Sequence, residues 1–591
     1  MLCASLRSLI IAVRRVAFGF AIASALLSGS VRSVIAADAV WTAGTGSFDD
    51  VANWDTNAVP VNGDVAIINN GGTAELTVAA TTSGATLRIG LDGTGAMTVS
   101  GTGTYETSGD MWIGRTQAAA VDVGDGSLAI SGGATVRKIG GATIIAGGAD
   151  ARGATGTLSV GSGSTYFHDS GSVFIAADGV NAGHYEATVN VAGGTIDAGT
   201  AEFWIGQDGG AGTARGVLNI TDGGTVTTRS WTVVGRSGAT GEINISSGTF
   251  TKQSGGNFIV GDGDGSVGTA NQSGGTLNVS SGEFWLGQGG GGSGTYALSA
   301  GSLLLNSWSA IGRDGGVGTF NMTGGTIVKA GSGGLEIGGG GGGATGTMNV
   351  SAGLVDVQVG DFFIPARGTG TLNLSGTGEV RASNVRLATY GSASTGIINL
   401  DGGTLRAARI YGGEGAAGAT LRLNGGLLQA VSDQSSFIAD LGTAEIAASG
   451  GRIDTQGYTV VTPQAFSGPG GLTKLGTGTL RMTGASTHTG NVTVSAGTLF
   501  TTTAASGGGS VTVADDANFG VTATGTLNDQ YVASALTLGR SGITIDLGSL
   551  GNPTAAPLAV SGAFTITGNA ELDFASLAPA VGTIPLISDS L

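Results

Sequence analysis

Short apolar strands alternate with glycine-rich turns along most of the chain. From about Thr86 to Leu428 one module recurs, and each copy holds two strand patterns. The first ends in an aliphatic residue and usually glycine, as in Phe203-Trp204-Ile205-Gly206. The second resembles Gly-Thr-Leu-Asn-Val and is followed by a turn of the Gly-Gly-Thr type. Short strands that repeat at a fixed interval between turn residues predict a solenoid.

The glycine that ends the first pattern measures the length of the module. It stands at positions 206, 235, 261, 287, 312 and 338, so successive modules are 25 to 29 residues long. A module of this length is one coil, and equivalent residues then stack from coil to coil. We therefore predict an all-β fold, an elongated parallel β-helix (solenoid) made of glycine-rich coils of about 25–30 residues.

Period-two alternation assigns the side chains of each strand to the core or to the surface. Ile205, Leu218 and Ile220 occupy inward positions and are predicted to be buried, whereas Trp204 should lie outside. The asparagines that stand between inward positions are predicted to form a ladder along the outside of the shaft: Asn219, Asn244, Asn278, Asn321, Asn349, Asn373 and Asn399.

An acidic residue followed by aromatic residues recurs at every third coil, and two further tryptophans repeat with the same interval one coil later. This pattern predicts a duplicated three-coil unit with ligand-binding candidates on its outer face: Asp110, Trp112, Glu202, Trp204, Trp231, Glu283, Trp285, Trp308, Asp361 and Phe363. The aromatic rings can stack on sugars or dock a partner. They can equally cover the shaft by packing on neighbouring coils.

Composition excludes several classes of function. Glycine makes up 116 of 591 residues, which disfavours long helices. The net charge of −16 repels phosphate backbones, so nucleic acid is not an expected partner. The single cysteine, Cys3, lies in the N-terminal stretch and leaves the rest of the chain without disulfide or thiolate chemistry.

The N-terminus has the features of a secretory signal, which we assign to residues 1–37. Basic residues extend to Arg15, an apolar run follows from Val16 to Leu27, and small residues precede Asp38. No later segment is predicted to be transmembrane. The sequence divides the remainder into the start of the solenoid (38–83), regular coils with the three-coil unit (84–430) and a less regular continuation (431–591).

Residues 471–499 hold the elements Gly-Leu-Thr-Lys, Gly-Thr-Leu, Thr-Gly and Ala-Gly-Thr-Leu in that order. This segment closely resembles the autotransporter-associated β-strand repeat, a module of exported bacterial surface proteins. The resemblance implies a right-handed β-helical passenger body, extracellular or on the outer surface of a Gram-negative-type cell. The sequence up to Leu591 shows neither the barrel strands nor the sorting signal usual in that family, so truncation and a different secretion device both stay open.

Catalytic chemistry has little support, and no catalytic residue, metal ligand or cofactor is assigned. His168, His184 and His488 are far apart and are expected to be exposed on loops or strands. The repeated acidic residues are expected roughly 14 Å apart, beyond the ~9.5 Å limit for a carboxylate pair working on one bond. The segment Gly261–Ser266 alternates oxygen ligands suited to calcium, and a solvated turn explains it equally well.

The sequence therefore favours an exported structural or adhesin-like shaft that is not an enzyme. Its expected partners are surface polysaccharide or another cell-surface protein, held by weak multivalent contacts. The alternative is a polysaccharide lyase, a hydrolase or a carbohydrate-binding module on the same scaffold. A cluster of acidic residues with Arg or Lys in one groove would favour the enzyme, and an uninterrupted outer surface of Thr, Asn and Gly would favour the shaft.

Overall fold

Each regular coil contributes up to three short strands, and each strand pairs in parallel with its equivalent in the next coil. The structure, a computed structural model, describes residues 38–78, 84–117, 122–148, 151–178, 183–207, 213–548, 550–576 and 582–589. About 20 stacked turns form a solenoid with 58% strand and 1% helix, which confirms the predicted all-β parallel β-helix. The predicted signal, residues 1–37, lies outside the described residues.

Face 1 of the solenoid holds the strands with the aliphatic-glycine pattern. Its strands are Asp38–Val40, Met111–Thr116, Ala142–Gly148, Ser172–Asp178, Glu202–Gln207, Thr232–Arg236, Phe258–Asp262, Phe284–Gln288, Ser309–Arg313, Leu335–Gly339, Phe362–Ile364 and Ile438–Ala439. A second, six-stranded sheet follows the last of these strands along the stack. It is formed by Thr459–Thr462, Thr479–Met482, Thr498–Thr502, Asn518–Thr522, Gly542–Gly548 and Glu571–Ser576.

Face 2 holds the strands with the asparagine pattern. They are Thr45–Ser47, Gly124–Ile130, Ala154–Gly161, His184–Ala192, Thr213–Thr221, Thr240–Ile245, Val267–Gln272, Ser293–Leu298, Thr369–Leu374, Thr395–Leu400, Ala419–Leu423 and Thr443–Ile446. A separate three-stranded sheet near the C-terminus consists of Tyr531–Ala533, Leu558–Val560 and Ile587–Asp589.

Face 3 closes each coil. Its strands are Thr104–Thr107, Thr135–Lys138, Thr165–His168, Thr195–Asp197, Thr225–Thr228, Thr249–Lys252, Thr276–Val279, Ser302–Leu305, Leu427–Ala430, Gly451–Asp454, Leu472–Leu475, Val492–Val494, Val511–Val513, Leu536–Leu538 and Phe564–Ile566. Six longer strands bend across a corner between faces: Val65–Leu76, Thr86–Val99, Val317–Lys329, Thr345–Val357, Glu379–Leu387 and Thr404–Gly412. Within the described ranges there are two 3₁₀ turns, Val51–Asn53 and Ala416–Gly418.

The core is a stack of inward side chains that runs through the described coils. Ile205, Leu218 and Ile220 are fully buried, as predicted from the alternation of their strands. Aromatic side chains stack along this core, with ring centroids 5.9 Å apart for Phe258 and Phe284. Because each coil buries its apolar residues against the coils on either side, the core depends on the register between coils.

The glycine that ends the face 1 pattern has a steric reason. Gly206 adopts a φ of +77°, which lies in the left-handed region that favours glycine. A Cβ at this position would lie 2.2 Å from the carbonyl oxygen of Thr240, where no real Cβ is found. Only glycine therefore fits at this position, where the chain turns from face 1 toward face 2 in close contact with the next coil.

Two tryptophans are buried near the N-terminal end of the described stack. Trp41 and Trp54 are buried in an edge-to-face arrangement, with ring centroids 5.1 Å apart. The indole Nε1 of Trp54 donates to the carbonyl oxygen of Phe48 over 2.9 Å. Among the described residues, no helix is long and apolar enough to cross a bilayer.

The asparagine ladder exists, but one predicted member is wrong. Asn219 donates to Asn190 and accepts from Asn244, each over 2.9 Å. In the next coil the ladder position is Asn271, which donates to Asn244 over 2.9 Å. The predicted Asn278 lies instead on face 3, because the Gly-Thr-Leu-Asn-Val segment of that coil forms the third strand and not the second.

Candidate functional site

The outward position of face 1 forms one column that contains the predicted aromatic sites. Strand pairing places Trp112, Ile144, Phe174 and Trp204 in successive coils. The column continues to Trp285 and Phe363 after three coils each, through Val233, Ile259, Ala310 and Glu336. The three-coil interval inferred from the sequence is therefore present in the structure.

The prediction that Trp204 lies outside needs correction. Its side chain is outside the apolar core, yet only 8% of it is exposed. The guanidinium of Arg236, one coil on, covers the indole with its Cζ 3.8 Å from the ring centroid, and Phe174 lies beside it. Arg236 also pairs with Asp262 over 3.2 Å. The ring is thus held beneath an arginine and is not open to a ligand.

Two other tryptophans of the column are also capped by arginine. Trp112 lies between Arg88 and Arg115, whose Cζ atoms are 4.2 and 3.8 Å from the ring centroid. Arg313 covers Trp285 at 4.1 Å. Cation–π contacts of this kind stabilise by about 0.5–1 kcal/mol at exposed sites. They occupy the ring face that a sugar would need.

The acidic residues of the predicted sites differ in the hydrogen bonds that they accept from neighbouring residues. Glu283 accepts from the Nε1 of Trp285 over 2.8 Å and from Arg313 over 2.5 Å. Asp361 accepts from Asn384 and Arg386, each over 3.1 Å, whereas Asp110 accepts from the backbone N–H of Ala142 over 2.8 Å. The Glu202 side chain has no hydrogen-bond partner among the described residues. These contacts join neighbouring coils, so a structural role accounts for three of the four carboxylates.

Trp231 and Trp308 are the predicted aromatic residues that stay open to solvent. Their exposed fractions are 39% and 41%. Trp231 leans on Trp285, with ring centroids 6.2 Å apart. Trp308 stacks on Phe363 at 6.0 Å, and Phe363 itself is only 5% exposed. In both copies of the three-coil unit, an exposed tryptophan thus packs on the less exposed aromatic ring that lies two coils further on.

A cleft opens beside Trp308, where the small Ala310 occupies the column position that Val233 holds three coils earlier. Its volume is about 220 Å³, and Glu283, Arg313 and Glu336 line it with Trp308 and Ala310. Burial raises the pKa of Glu336 to about 7, since desolvation outweighs the opposing charge of Arg313. An acidic pair with an arginine in one cleft is the cluster that the sequence analysis associated with an enzyme.

All four lysines are buried inside the shaft, which the sequence analysis did not predict. Lys138, Lys252, Lys329 and Lys474 occupy inward positions on face 3. The ammonium of Lys329 donates to the carbonyl oxygens of Ala330, Ser332 and Gly333 over 2.9–3.0 Å. These carbonyls belong to the turn that leaves face 3, so the lysine satisfies acceptors that would otherwise be buried without a donor.

The expectation that the histidines are exposed is wrong for two of the three. His168 and His488 are buried, and only His184 is exposed. His168 falls on the inward parity of its strand, two residues after the buried Tyr166, and burial lowers its pKa to about 4. Within the described ranges no group of three His, Cys, Asp or Glu side chains is placed to hold a metal ion.

The predicted calcium segment, Gly261–Ser266, is largely engaged by its neighbours. Asp262 is the residue that pairs with Arg236, and burial raises the pKa of its carboxyl group. The hydroxyl of Ser266 donates to the carbonyl oxygen of Gly263 over 2.7 Å. These contacts fit the alternative of an ordinary turn.

One family model matches the chain, at residues 472–499, and its description is passenger-associated-transport-repeat. The matched segment coincides with the one whose motifs resemble the autotransporter-associated repeat. Together with the solenoid, the match fits an autotransporter passenger β-helix repeat protein, and the repeat family suggests export. No curated protein matches the chain.

The structure explains the lysine of that repeat. In Gly471-Leu472-Thr473-Lys474 the lysine points inward, and its ammonium donates to the carbonyl oxygens of Leu475, Gly476 and Ala496 over 2.8–3.0 Å. Ala496 belongs to the Ala-Gly-Thr-Leu element of the following coil. The two ends of the motif are therefore joined by one buried side chain.

Proposed function

We propose that this protein is a non-catalytic shaft of the passenger type, exported to the cell surface or beyond it, which holds surface glycans by weak repeated contacts. The observation that carries the proposal is the exposure of Trp231 and Trp308 three coils apart on one face. At ~4.8 Å per coil their backbones are roughly 14 Å apart. A polymer with a repeating structure can contact both at once, which raises avidity without any single strong site.

The capped tryptophans support the structural part of the proposal. Arg236 joins Trp204 of the preceding coil to Asp262 of the following coil, and Arg313 joins its own coil to Trp285 and Glu283 of the preceding one. Both arginines therefore stiffen the shaft. A planar guanidinium that stacks and pairs at once is well suited to this role. The glycan contact is therefore assigned to the two exposed tryptophans and not to Trp112, Trp204 or Trp285.

The test compares glycan-array binding of the parent with Trp231→Ala, Trp308→Ala and the double variant. Loss of one stacking contact is expected to weaken avidity by about tenfold, which corresponds to ~1.4 kcal/mol, and the double variant should be weaker than either single variant. The matched control is Trp204→Ala, which removes a covered tryptophan. It should lower stability and leave glycan binding unchanged.

Equal binding by the parent and the double variant would show that the exposed tryptophans are packing residues. A loss in the control as large as that in the double variant would also contradict the proposal, because it would trace binding to general disruption of face 1.

A second candidate function is hydrolysis of a polysaccharide in the Trp308 cleft. One observation favours it: Glu336 has a pKa of about 7 and faces a cleft that also holds Glu283. A protonated and an ionised carboxyl group in one site are the requirements of glycoside hydrolysis. Strand pairing places the two residues two coils apart, or roughly 10 Å along the backbone, which is close to the ~9.5 Å upper limit for the two carboxyl groups of an inverting enzyme.

Release of reducing sugar from a panel of neutral and acidic polysaccharides tests this candidate. If the protein is an enzyme, Glu336→Gln and Glu283→Gln should each lose activity. The pH optimum of the parent should then follow the titration of Glu336. The shaft proposal predicts no release by the parent protein.

A further inference from the structure

Face 3 carries a groove that the predicted aromatic sites do not include. It has a volume of about 740 Å³ and follows the shaft over five successive coils, from Thr104 to Arg229. Four intervals of ~4.8 Å give it a length of roughly 19 Å. The ring of Phe167 lies near its middle and is 36% exposed. The groove thus suits an elongated ligand that lies along the axis.

An ion pair flanks the ring on each side. Arg137 binds Asp169 over 2.7 Å, and Arg229 contacts both carboxylate oxygens of Asp197. Each pair bridges from one coil to another, so the four planar polar groups are held at the edges of the aromatic surface. Burial alone would raise the pKa of Asp197, but its hydrogen bonds to Arg229 and to the Gly199 N–H bring that pKa below its ordinary value.

Several polar groups in the groove are still free to bind a ligand. Among the described residues, the side chains of Thr104, Glu106 and Thr135 have no hydrogen-bond partner. Asp169 and Arg137 are 37% and 50% exposed, so their outer atoms stay accessible beside the ring. The groove therefore offers an apolar ring face, two hydroxyl groups and fixed carboxylate and guanidinium groups along one line.

We propose that this groove, from Thr104 to Arg229, is a binding site for a neutral saccharide chain. A pyranose has an apolar C–H face that stacks on an aromatic ring and a rim of hydroxyl groups that bind planar carboxylates and guanidinium groups. The groove presents both, with Phe167 between its two ion pairs.

Charge and backbone geometry argue against other occupants. The two arginines are each paired with an aspartate, and Glu106 adds one further negative charge, so an anionic polymer gains nothing from this surface. An extended peptide usually binds by adding a strand to a sheet edge. The strands of the groove run across the shaft and are paired with coils on both sides, so they offer no such edge.

The site is independent of the glycan contact proposed for Trp231 and Trp308, because neither residue lines the groove; each lies in the turn directly before a face 1 strand. Titration calorimetry of the exported chain with cellohexaose, chitohexaose, laminarihexaose and maltohexaose, and with hexagalacturonate as the acidic probe, tests it. The variants are Phe167→Ala and Asp169→Asn. The matched control is Leu304→Ala, which changes an apolar residue in the same outward column of face 3 beyond the groove.

At least one neutral hexasaccharide should bind the parent, and each groove variant should weaken that binding by about tenfold or more. Leu304→Ala and the Trp231→Ala/Trp308→Ala double variant should bind it as the parent does. Absence of binding by all four neutral probes at millimolar concentration would overturn the proposal, as would tighter binding of hexagalacturonate. A loss only in the tryptophan double variant would refute the groove and leave the face 1 proposal standing.

Discussion

The buried lysines predict an unusual dependence of stability on pH. Burial lowers the pKa of Lys252 and of Lys474 from 10.5 to about 8, although the carbonyl oxygens that accept from each ammonium oppose that shift. Between pH 8 and 10.5 the folded state has released these protons and the unfolded state has not. The free energy of unfolding therefore rises with pH through this window.

The magnitude follows from the two pKa values. Their difference sets a ceiling of about 3.4 kcal/mol for each lysine. The carbonyl acceptors stabilise the charged form in the folded state, so we expect about 1–2 kcal/mol from each. Tyr105, Tyr166 and Tyr296 act in the opposite direction, because burial raises their pKa and stability is lost as the pH rises above 10. Stability should thus be greatest near pH 10.

Urea unfolding followed by circular dichroism at about pH 8 and about pH 10 measures this effect. The variant Lys252→Met/Lys474→Met removes the two lysines with the larger shifts and keeps the length of the side chains. Burial also lowers the pKa of Lys138 and Lys329, which stay in place, so the midpoint of the variant should rise less than that of the parent between the two pH values but need not be constant. An equal rise in the parent and the double variant would refute the reasoning, because other groups would then carry the effect.

Three further outcomes are expected. Ile205→Asp should lower the free energy of unfolding by more than about 3 kcal/mol in denaturant titrations, whereas Asn219→Ser, at a half-buried ladder position, should cost about 1 kcal/mol. Arg236→Ala should cost about 1 kcal/mol and expose Trp204, seen as a red shift and stronger iodide quenching of its fluorescence. Since burial raises the pKa of Glu336 from 4.5 to about 7, Glu336→Gln should be more stable than the parent at pH 8, and the difference should disappear below about pH 4, judged by thermal melting.

The faces of the solenoid could be predicted from the sequence because a strand has a side-chain period of two. The same rule placed Ile205 and Leu218 inside, and the spacing of the acidic-aromatic segments gave the three-coil interval of the aromatic column. Applied to Lys252, the rule would also have predicted burial, because Lys252 stands two residues after the inward Phe250 on the same strand. Lysine side chains usually lie in solvent, so the inward position of Lys252 was not taken as evidence of burial. Glycine-rich turns nevertheless supply the carbonyl oxygens that an interior ammonium needs.

The covering of Trp204 could not be predicted from strand parity. Parity shows that the ring leaves the core, but its exposure depends on Arg236, which follows Gly235 in the next coil. The contact is visible only once the register between coils is known. The groove around Phe167 has the same origin, since its lining comes from five coils and no single segment of sequence contains it.

The two cationic side chains have separate roles in this shaft. Arginines lie outside, where a planar guanidinium can stack on a ring and pair with a carboxylate of another coil, as Arg313 does with Trp285 and Glu283. Lysines lie inside, where the compact ammonium of Lys252 or Lys329 reaches three carbonyl oxygens of one turn. A protein with few charges thus uses its cations mainly to join coils and close turns. The recognition that we propose is assigned to three of the exposed aromatic rings, those of Trp231, Trp308 and Phe167.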